Sequence, residues 1–221
     1  MGKISLVFII VMASATYYLT STSFQSSQSL QQNRTWIDET GKLHVLGLTL
    51  GKSTVRDAEI ALRSRADAAI FMYPLHDEGK EKKFKLVLEA YFPSIADHSK
   101  VMLTLDVEEQ QLEAIRQRST SPRLYPNGVA RMNLGNEDIL AVLKFTIHTL
   151  TLIPSTQLDA AILKAQFGNP KRINTVNKHI TTYLYPNLGL TASINDSGKD
   201  KLVFTSPKHQ SIMPAIQTER Q

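Results

Sequence analysis

The sequence predicts strands in eight segments of this 221-residue chain, and in two of them, residues 44–50 and 145–152, apolar residues alternate along the chain as in a strand that buries one face. In chain order the segments are residues 44–50, 67–74, 84–93, 100–107, 145–152, 179–186, 188–195 and 201–206. Because short loops join most neighbouring segments, we expect antiparallel pairing. Helices are predicted after the first and the fifth segment, and a polar amphipathic helix is predicted over residues 108–118.

Two of the strand–helix segments are similar to each other at an offset of 102 residues. Residues 48–58 and 150–160 share seven of eleven positions. In both copies a threonine precedes an aspartate by three positions, which is the spacing of a helix N-terminal capping box. The pairs are Thr54 with Asp57 and Thr156 with Asp159. The pattern predicts an α+β fold of two tandem repeats, each a capped helix packed on an antiparallel β-sheet.

The composition along the chain divides it into five predicted parts. Residues 20–34 are rich in Ser, Thr and Gln, and such a segment buries too little apolar surface to offset its loss of chain entropy. We expect residues 119–136 to connect the two repeats. The predicted bounds are 1–19 for a hydrophobic leader, 20–35 for a flexible polar tether, 36–120 for the first repeat, 121–205 for the second and 206–221 for a disordered tail.

The leader predicts export across a membrane. Lys3 precedes an apolar run from Ile4 to Leu19, as in a signal peptide or signal anchor. Ala13-Ser14-Ala15 has the form of a cleavage site, so the leader is either removed after Ala15 or kept as a short anchor through residues 4–19. We favour the anchor, because cleavage there leaves an unusually short signal. The single flanking Lys3 then keeps the N-terminus in the cytoplasm and the body outside it.

The second copy resembles a known family in three consecutive features. A helix ends at Phe167-Gly168-Asn169-Pro170, a strand carries Tyr183-Leu184-Tyr185, and a hairpin follows. This order resembles small bacterial outer-membrane assembly lipoproteins of the SmpA/OmlA type, and the tandem layout is similar to β-lactamase-inhibitor-protein-like domains. The resemblance implies helices on one face of an antiparallel sheet and function through protein–protein contact. The first copy departs at residues 64–67, and the lipid-bearing cysteine of those lipoproteins is missing.

Charge and composition exclude several classes of protein. Hydrophobic residues make up 42% and charged residues 20% of the chain, which is ordinary for a globular protein. The absence of Cys excludes disulfides, iron–sulfur clusters and thiol catalysis. The net charge of +5 falls within residues 121–221, which hold 11 Lys or Arg and six Asp or Glu. No basic block is dense enough to predict a nucleic-acid partner.

Three features of the sequence have the residue types of a chemical site, and each is better explained by a structural role. Gly47–Ser53 is one residue too short between its glycines for a phosphate-binding loop, so no nucleotide is expected. The six histidines, at 44, 76, 98, 148, 179 and 209, have no metal-binding spacing. Asp97-His98-Ser99 has the residue types of a triad but lies in a predicted turn. The sequence therefore predicts no catalytic, cofactor-binding or metal-ligating residue, and no cofactor.

These observations predict an exported, membrane-tethered and non-enzymatic envelope protein that acts through contacts with an envelope protein partner. One alternative is a secreted inhibitor or ligand-binding module, released by cleavage after Ala15. The other is a hydrolase assembled from His, Asp and Ser residues that are distant in sequence.

Overall fold

A computed structural model describes residues 35–75 and 84–206. These residues form thirteen strands and four α-helices, with short 3-10 turns at Val142–Lys144 and Pro186–Leu188. The helices are α1 (Val55–Leu62), α2 (Glu109–Arg118), α3 (Asn136–Ala141) and α4 (Ala160–Phe167). The strands are β1 (Thr35–Ile37), β2 (Leu43–Val45), β3 (Leu48–Thr49), β4 (Asp67–Pro74), β5 (Phe84–Phe92), β6 (Lys100–Asp106), β7 (Arg123–Leu124), β8 (Ala130–Asn133), β9 (Thr146–Ile153), β10 (Arg172–Asn177), β11 (Ile180–Tyr185), β12 (Leu190–Asn195) and β13 (Lys201–Thr205).

Ten of the strands form one continuous antiparallel sheet, in the order β10-β11-β12-β13-β9-β6-β5-β4-β8-β7. Strand β9 lies between β6 and β13, and it joins the strands that precede it in the chain to those that follow. Strands β1, β2 and β3 form a separate three-stranded sheet.

One face of the ten-stranded sheet is apolar and forms the core. Leu103 pairs with Leu150, and Leu150 pairs in turn with Phe204, so fully buried residues continue across three neighbouring strands. The buried residues of the small sheet, α1, α2 and α4 belong to this same cluster. Burying large aliphatic and aromatic side chains is the main stabilising contribution in a fold of this kind.

The expected architecture of two tandem repeats is wrong. In the first copy Leu48 and Thr49 belong to the small sheet, whereas in the second copy Leu150 and Thr151 lie in the central strand of the large sheet. Strand β8, from the predicted second repeat, pairs with β4 from the predicted first. The chain combines helices with an antiparallel sheet, but that sheet and its core run across the predicted boundary between residues 120 and 121.

Of the two predicted helix caps, the first is confirmed and the second is wrong. Thr54 caps α1 as predicted, since its hydroxyl accepts from the Asp57 amide at 3.3 Å and the Asp57 carboxylate accepts from the Thr54 amide at 2.8 Å. Helix α4 is instead capped by Asp159, whose carboxylate accepts from the Ile162 amide at 2.7 Å. The predicted cap at Thr156 is therefore wrong, and the helix begins one turn later than the sequence match indicates.

The predicted connection at residues 119–136 contributes strands β7 and β8 to the sheet. An ion pair between the partly exposed Arg118 and the buried Asp138 supports this region. The guanidinium of Arg118, at the end of α2, donates to both carboxylate oxygens of Asp138 in α3, at 2.6 and 3.0 Å. Asp138 is only 4% exposed, and a bidentate pair of this kind fixes the relative position of two elements.

Most predicted strands are confirmed, and β4 has the predicted bounds. The predicted single strand over residues 44–50 is wrong, because a turn at Leu46 and Gly47 divides this segment between β2 and β3. Strand β10 was not predicted. The leader, the tether up to residue 34, residues 76–83 and the tail from residue 207 lie outside the described residues. Across residues 35–75 and 84–206, each helix is too short or too polar to cross a membrane.

Candidate functional site: an open edge of the large sheet

Strand β10 is one edge of the ten-stranded sheet. Within residues 35–75 and 84–206 it pairs with β11 alone, and all six of its residues are exposed. In an antiparallel ladder, alternate residues direct their N–H and C=O groups to opposite sides of the strand. The outer side of β10 therefore presents backbone donors and acceptors that another strand can bind. The opposite edge, β7, has only two residues.

A tight turn holds β10 against β11. The side-chain oxygen of Asn177 accepts hydrogen bonds from the amides of His179 and Ile180, both at 2.9 Å. The pairing register shifts between Thr175 and Asn177, which leaves Val176 as a bulged residue. The turn fixes the hairpin, and the bulge bends the outer strand at its end.

The edge strand combines exposed apolar side chains with positive charge. Ile173 is 56% exposed and Val176 is 45% exposed. Residues 160–195 contain no Asp or Glu, whereas they contain four basic residues: Lys164, Lys171, Arg172 and Lys178. All four are exposed, and three of them lie in β10 or beside it. The edge is therefore a β-branched strand with a positive charge at each end.

A second polar cluster lies in the small sheet. Nε2 of His44 is 2.9 Å from a carboxylate oxygen of Asp38, and Nδ1 of His44 is 3.0 Å from the hydroxyl of Thr49. A carboxylate can only accept, so Nε2 carries a proton, and in the neutral ring Nδ1 accepts from the Thr49 hydroxyl. The indole of Trp36 stacks on the imidazole, with ring centroids 4.0 Å apart. An acid, a base and a hydroxyl thus lie in one hydrogen-bonded chain.

The backbone around Thr49 offers no donors for the negatively charged oxygen that forms in an acyl-transfer reaction. All five amides of residues 49–53 donate within the protein, to Ser53, Leu43, Ile147 and, twice, to Thr49. Catalysis by a triad depends on free donors near the nucleophile as well as on the nucleophile itself. Hydrogen bonds from His44, Thr40 and Lys42 hold the pKa of Asp38 well below its usual range. The cluster therefore fits a structural role that holds β1, β2 and β3 together.

A buried carboxyl lies on the other face of the large sheet. The hydroxyl of Tyr73 donates to one oxygen of Glu89 at 2.9 Å, and the second oxygen of Glu89 is buried without a hydrogen-bond partner. Glu89 is 4% exposed, and its burial raises its pKa above the usual range. Desolvation, together with the charge of Glu89, also raises the pKa of the Tyr73 phenol.

A polar cleft of about 280 Å³ lies before α4 and is lined by residues 154–157 and 198–200. Its buried carboxylate, Asp200, accepts from the amides of Leu158 and Asn195, at 2.6 and 2.8 Å. Both of its oxygens are thus engaged in holding the two loops of the cleft. This arrangement explains the burial of Asp200 without a ligand.

Among the candidate residues of the sequence that the structure describes, His179 lies beside β10 and the others lie in other elements. Ser53, from the segment compared with a phosphate-binding loop, accepts from the Thr49 amide. Asp97 accepts from the Ser99 amide in a turn, as predicted. His179 lies in the β10–β11 turn, and His76 and His209 lie outside the described residues. In the part of the chain that the structure describes, no group of three His, Asp or Glu side chains could hold a metal ion.

The comparisons with known proteins add one distant similarity. No protein-family model and no curated protein matches the chain. A solved structure, the crystal structure of a DUF4309 family protein (YjgB) from Bacillus subtilis subsp. subtilis str. 168, is similar at 12% identity and a TM-score of 0.36. The match covers 76% of this chain and 88% of that one. Similarity at this level carries no argument about function, and the resemblance to SmpA/OmlA-type lipoproteins stays a prediction.

Proposed function

We propose that the chain is exported, is tethered to the membrane through residues 4–19, and acts through protein–protein contact outside the cytoplasm. In a bacterium the body lies in the periplasm. The observation that carries the contact role is the open edge of β10, with its six exposed residues. Edge strands bind extended segments of other proteins through main-chain hydrogen bonds, and exposed side chains add specificity. Lys3, the apolar run that follows it and the polar residues 20–35 support the tether.

The proposed role is a binding role without catalysis. The strongest arrangement for catalysis among the described residues is Asp38, His44 and Thr49, and the neighbouring amides are engaged inside the protein. Asp200 and Asp138 are buried, and each is bound on both oxygens by groups of the protein itself. These contacts support the assignment of these groups to structural roles.

Photo-crosslinking of the full chain in cells that export it tests this proposal. A photoreactive residue replaces Ile173 on β10 or, as the matched control, Ile60, which is 70% exposed on α1. We expect a discrete adduct in the membrane fraction from position 173 and none from position 60. Equal labelling at both positions contradicts the use of the edge, and a chain found in the cytoplasmic fraction contradicts export.

The alternative is a secreted inhibitor or ligand-binding module, and Ala13-Ser14-Ala15 is the feature that favours it. The intact mass of the mature chain separates the two proposals. A chain that starts at Thr16 and is found in the soluble extracytoplasmic fraction supports secretion. A chain that keeps residues 4–19 and sediments with membranes supports the anchor.

A further inference from the structure

The free backbone groups on the outer side of β10 limit the conformation that a partner segment can have. The outer side of β10 offers alternating backbone N–H and C=O groups, which match the backbone of another extended strand. A helix satisfies its own backbone groups, so it cannot use this feature. The partner segment is therefore extended where it meets β10.

The charge around β10 indicates which charge the partner segment carries. No Asp or Glu occurs in residues 160–195, and the exposed Lys171 and Arg172 lie at one end of β10 while Lys178 lies at the other. The exposed Asp196, whose amide donates to the His179 carbonyl at 3.0 Å, places one negative charge beside the turn, so the basic excess is greatest at the Arg172 end. Opposite charges on facing strands stabilise their pairing, and like charges oppose it. Acidic residues near both ends of the partner segment complement this pattern. Between them, small β-branched residues fit beside Ile173 and Val176.

The same charges disfavour a second copy of this chain as the partner. When two β10 strands pair antiparallel about a twofold axis between Asn174 and Thr175, Lys171 of each faces Lys178 of the other. Because residues 171–179 contain basic residues and no Asp or Glu, other registers place basic residues of one β10 near basic or neutral residues of the other. Basic side chains on an edge strand are known to protect it from self-association.

We propose that the partner segment is an extended acidic strand that pairs with the outer edge of β10. The inference rests on the proposed function and specifies its partner. Positive charge brings the acidic segment to the edge, backbone hydrogen bonds align it, and Ile173 and Val176 supply apolar contact. Binding therefore depends on both the peptide backbone and the charge.

The test measures the affinity of the full chain for four short peptides. Three of the peptides have the same central sequence of alternating Val and Thr and differ in the residue at both ends, which is Glu, Gln or Lys. The fourth peptide has the sequence of the Glu peptide with N-methylated backbone amides. We expect the Glu peptide to bind about tenfold more tightly than the Lys peptide, because exposed charge pairs are individually weak. The preference decreases when the salt is raised to about 0.5 M. The N-methylated peptide loses binding.

Two charge-reversal variants serve as a matched pair. Arg172→Glu with Lys178→Glu changes the edge, and Lys52→Glu with Arg56→Glu makes the same change in net charge at exposed positions on and before α1. We expect only the edge variant to reverse the order of the Glu and Lys peptides. Circular dichroism confirms that both variants fold.

The results that would contradict the proposal differ in which part of it they contradict. Equal binding of the Glu, Gln and Lys peptides overturns the acidic partner and leaves the proposed use of the edge, which the crosslinking experiment tests separately. Undiminished binding of the N-methylated peptide overturns strand pairing. Failure of every peptide to bind, or a dimer in sedimentation that the edge variant dissociates, overturns the inference as a whole.

Discussion

The hydroxyl of Tyr73 donates a 2.9 Å hydrogen bond to Glu89, a carboxyl that is 4% exposed and has no partner for its second oxygen. Tyr73 lies in β4 and Glu89 in β5, so the bond links neighbouring strands on the face of the sheet opposite the core. A buried carboxyl with one donor is held more easily as the neutral acid than as the anion. This relationship makes stability depend on pH.

Glu89→Gln is expected to remove that dependence. Because burial raises the pKa of Glu89 in the folded state, its contribution is fully present below the unfolded pKa of about 4.3 and is lost as pH rises through the folded value. At mildly alkaline pH the variant should be more stable than the parent by about 1–3 kcal/mol, the cost of a buried unsatisfied group. Urea unfolding at a series of pH values measures this. Tyr73→Phe, which removes the donor, should steepen the dependence, and parallel pH curves for all three proteins contradict the account.

Asp38 is expected to show the opposite dependence on pH. Its pKa in the folded state is lowered, mainly by the hydrogen bond from His44, so its contribution is present above the unfolded pKa of about 3.9 and is lost as pH falls below it. Asp38→Asn should therefore melt at a lower temperature than the parent at neutral pH, with a difference that shrinks in acid. Glu39→Gln, an exposed change in the same turn, is the control. A difference that stays constant from neutral to acid pH argues against the pairing with His44.

The two threonines of the sequence match should respond differently to the same substitution. Thr54→Ala removes the cap of α1 and should cost about 1 kcal/mol of unfolding free energy. Thr156→Ala should change it by less than about 0.5 kcal/mol, because the cap of α4 is Asp159. Asp159→Ala should in turn cost about 1 kcal/mol. Equal losses from both threonine variants would restore the predicted equivalence of the two helices.

Among the glycines that the structure describes, Gly189, in the turn before β12, has the least room for a side chain. Its φ is +56°, and a Cβ atom there would overlap the carbonyl oxygen of Thr205. Gly189→Ala should cost more than about 3 kcal/mol, because backbone rather than a flexible side chain must move. Gly51→Ala has a similar φ of +75° and open space around it, so it should cost about 1–2 kcal/mol. Thermal or urea unfolding compares the two, and similar losses contradict the steric argument.

The sequence predicts local elements well where one face of the element is buried. The alternation in residues 100–106 defines β6, because Val101, Leu103 and Leu105 are buried while the residues between them are more exposed. It does not reveal β10, because both faces of that strand are exposed and its side chains show no alternation in burial. Ile173, Thr175 and Val176, followed by a two-residue turn after Asn177, are the signal that was available.

The failure of the repeat prediction has a physical cause in distant contacts. After β9 the amide of Ser155 donates to Ser99, and the amide of Leu158 donates to Asp200. These hydrogen bonds hold residues 154–158 in a non-helical conformation, and the helix begins at Ala160. Local similarity of residues 48–58 and 150–160 contains no information about these partners. The place of each segment in a sheet depends on pairing with residues far away in the chain.

Amide hydrogen exchange in β10 tests the central claim most directly. In the full chain alone, alternate amides of Arg172–Asn177 should exchange rapidly, because they face solvent at the open edge. On saturation with the Glu peptide, those amides should become protected, while the exposed turn at residues 196–199 keeps its rates. Unchanged exchange throughout β10 at saturation would contradict the account, because a partner bound elsewhere leaves this edge open.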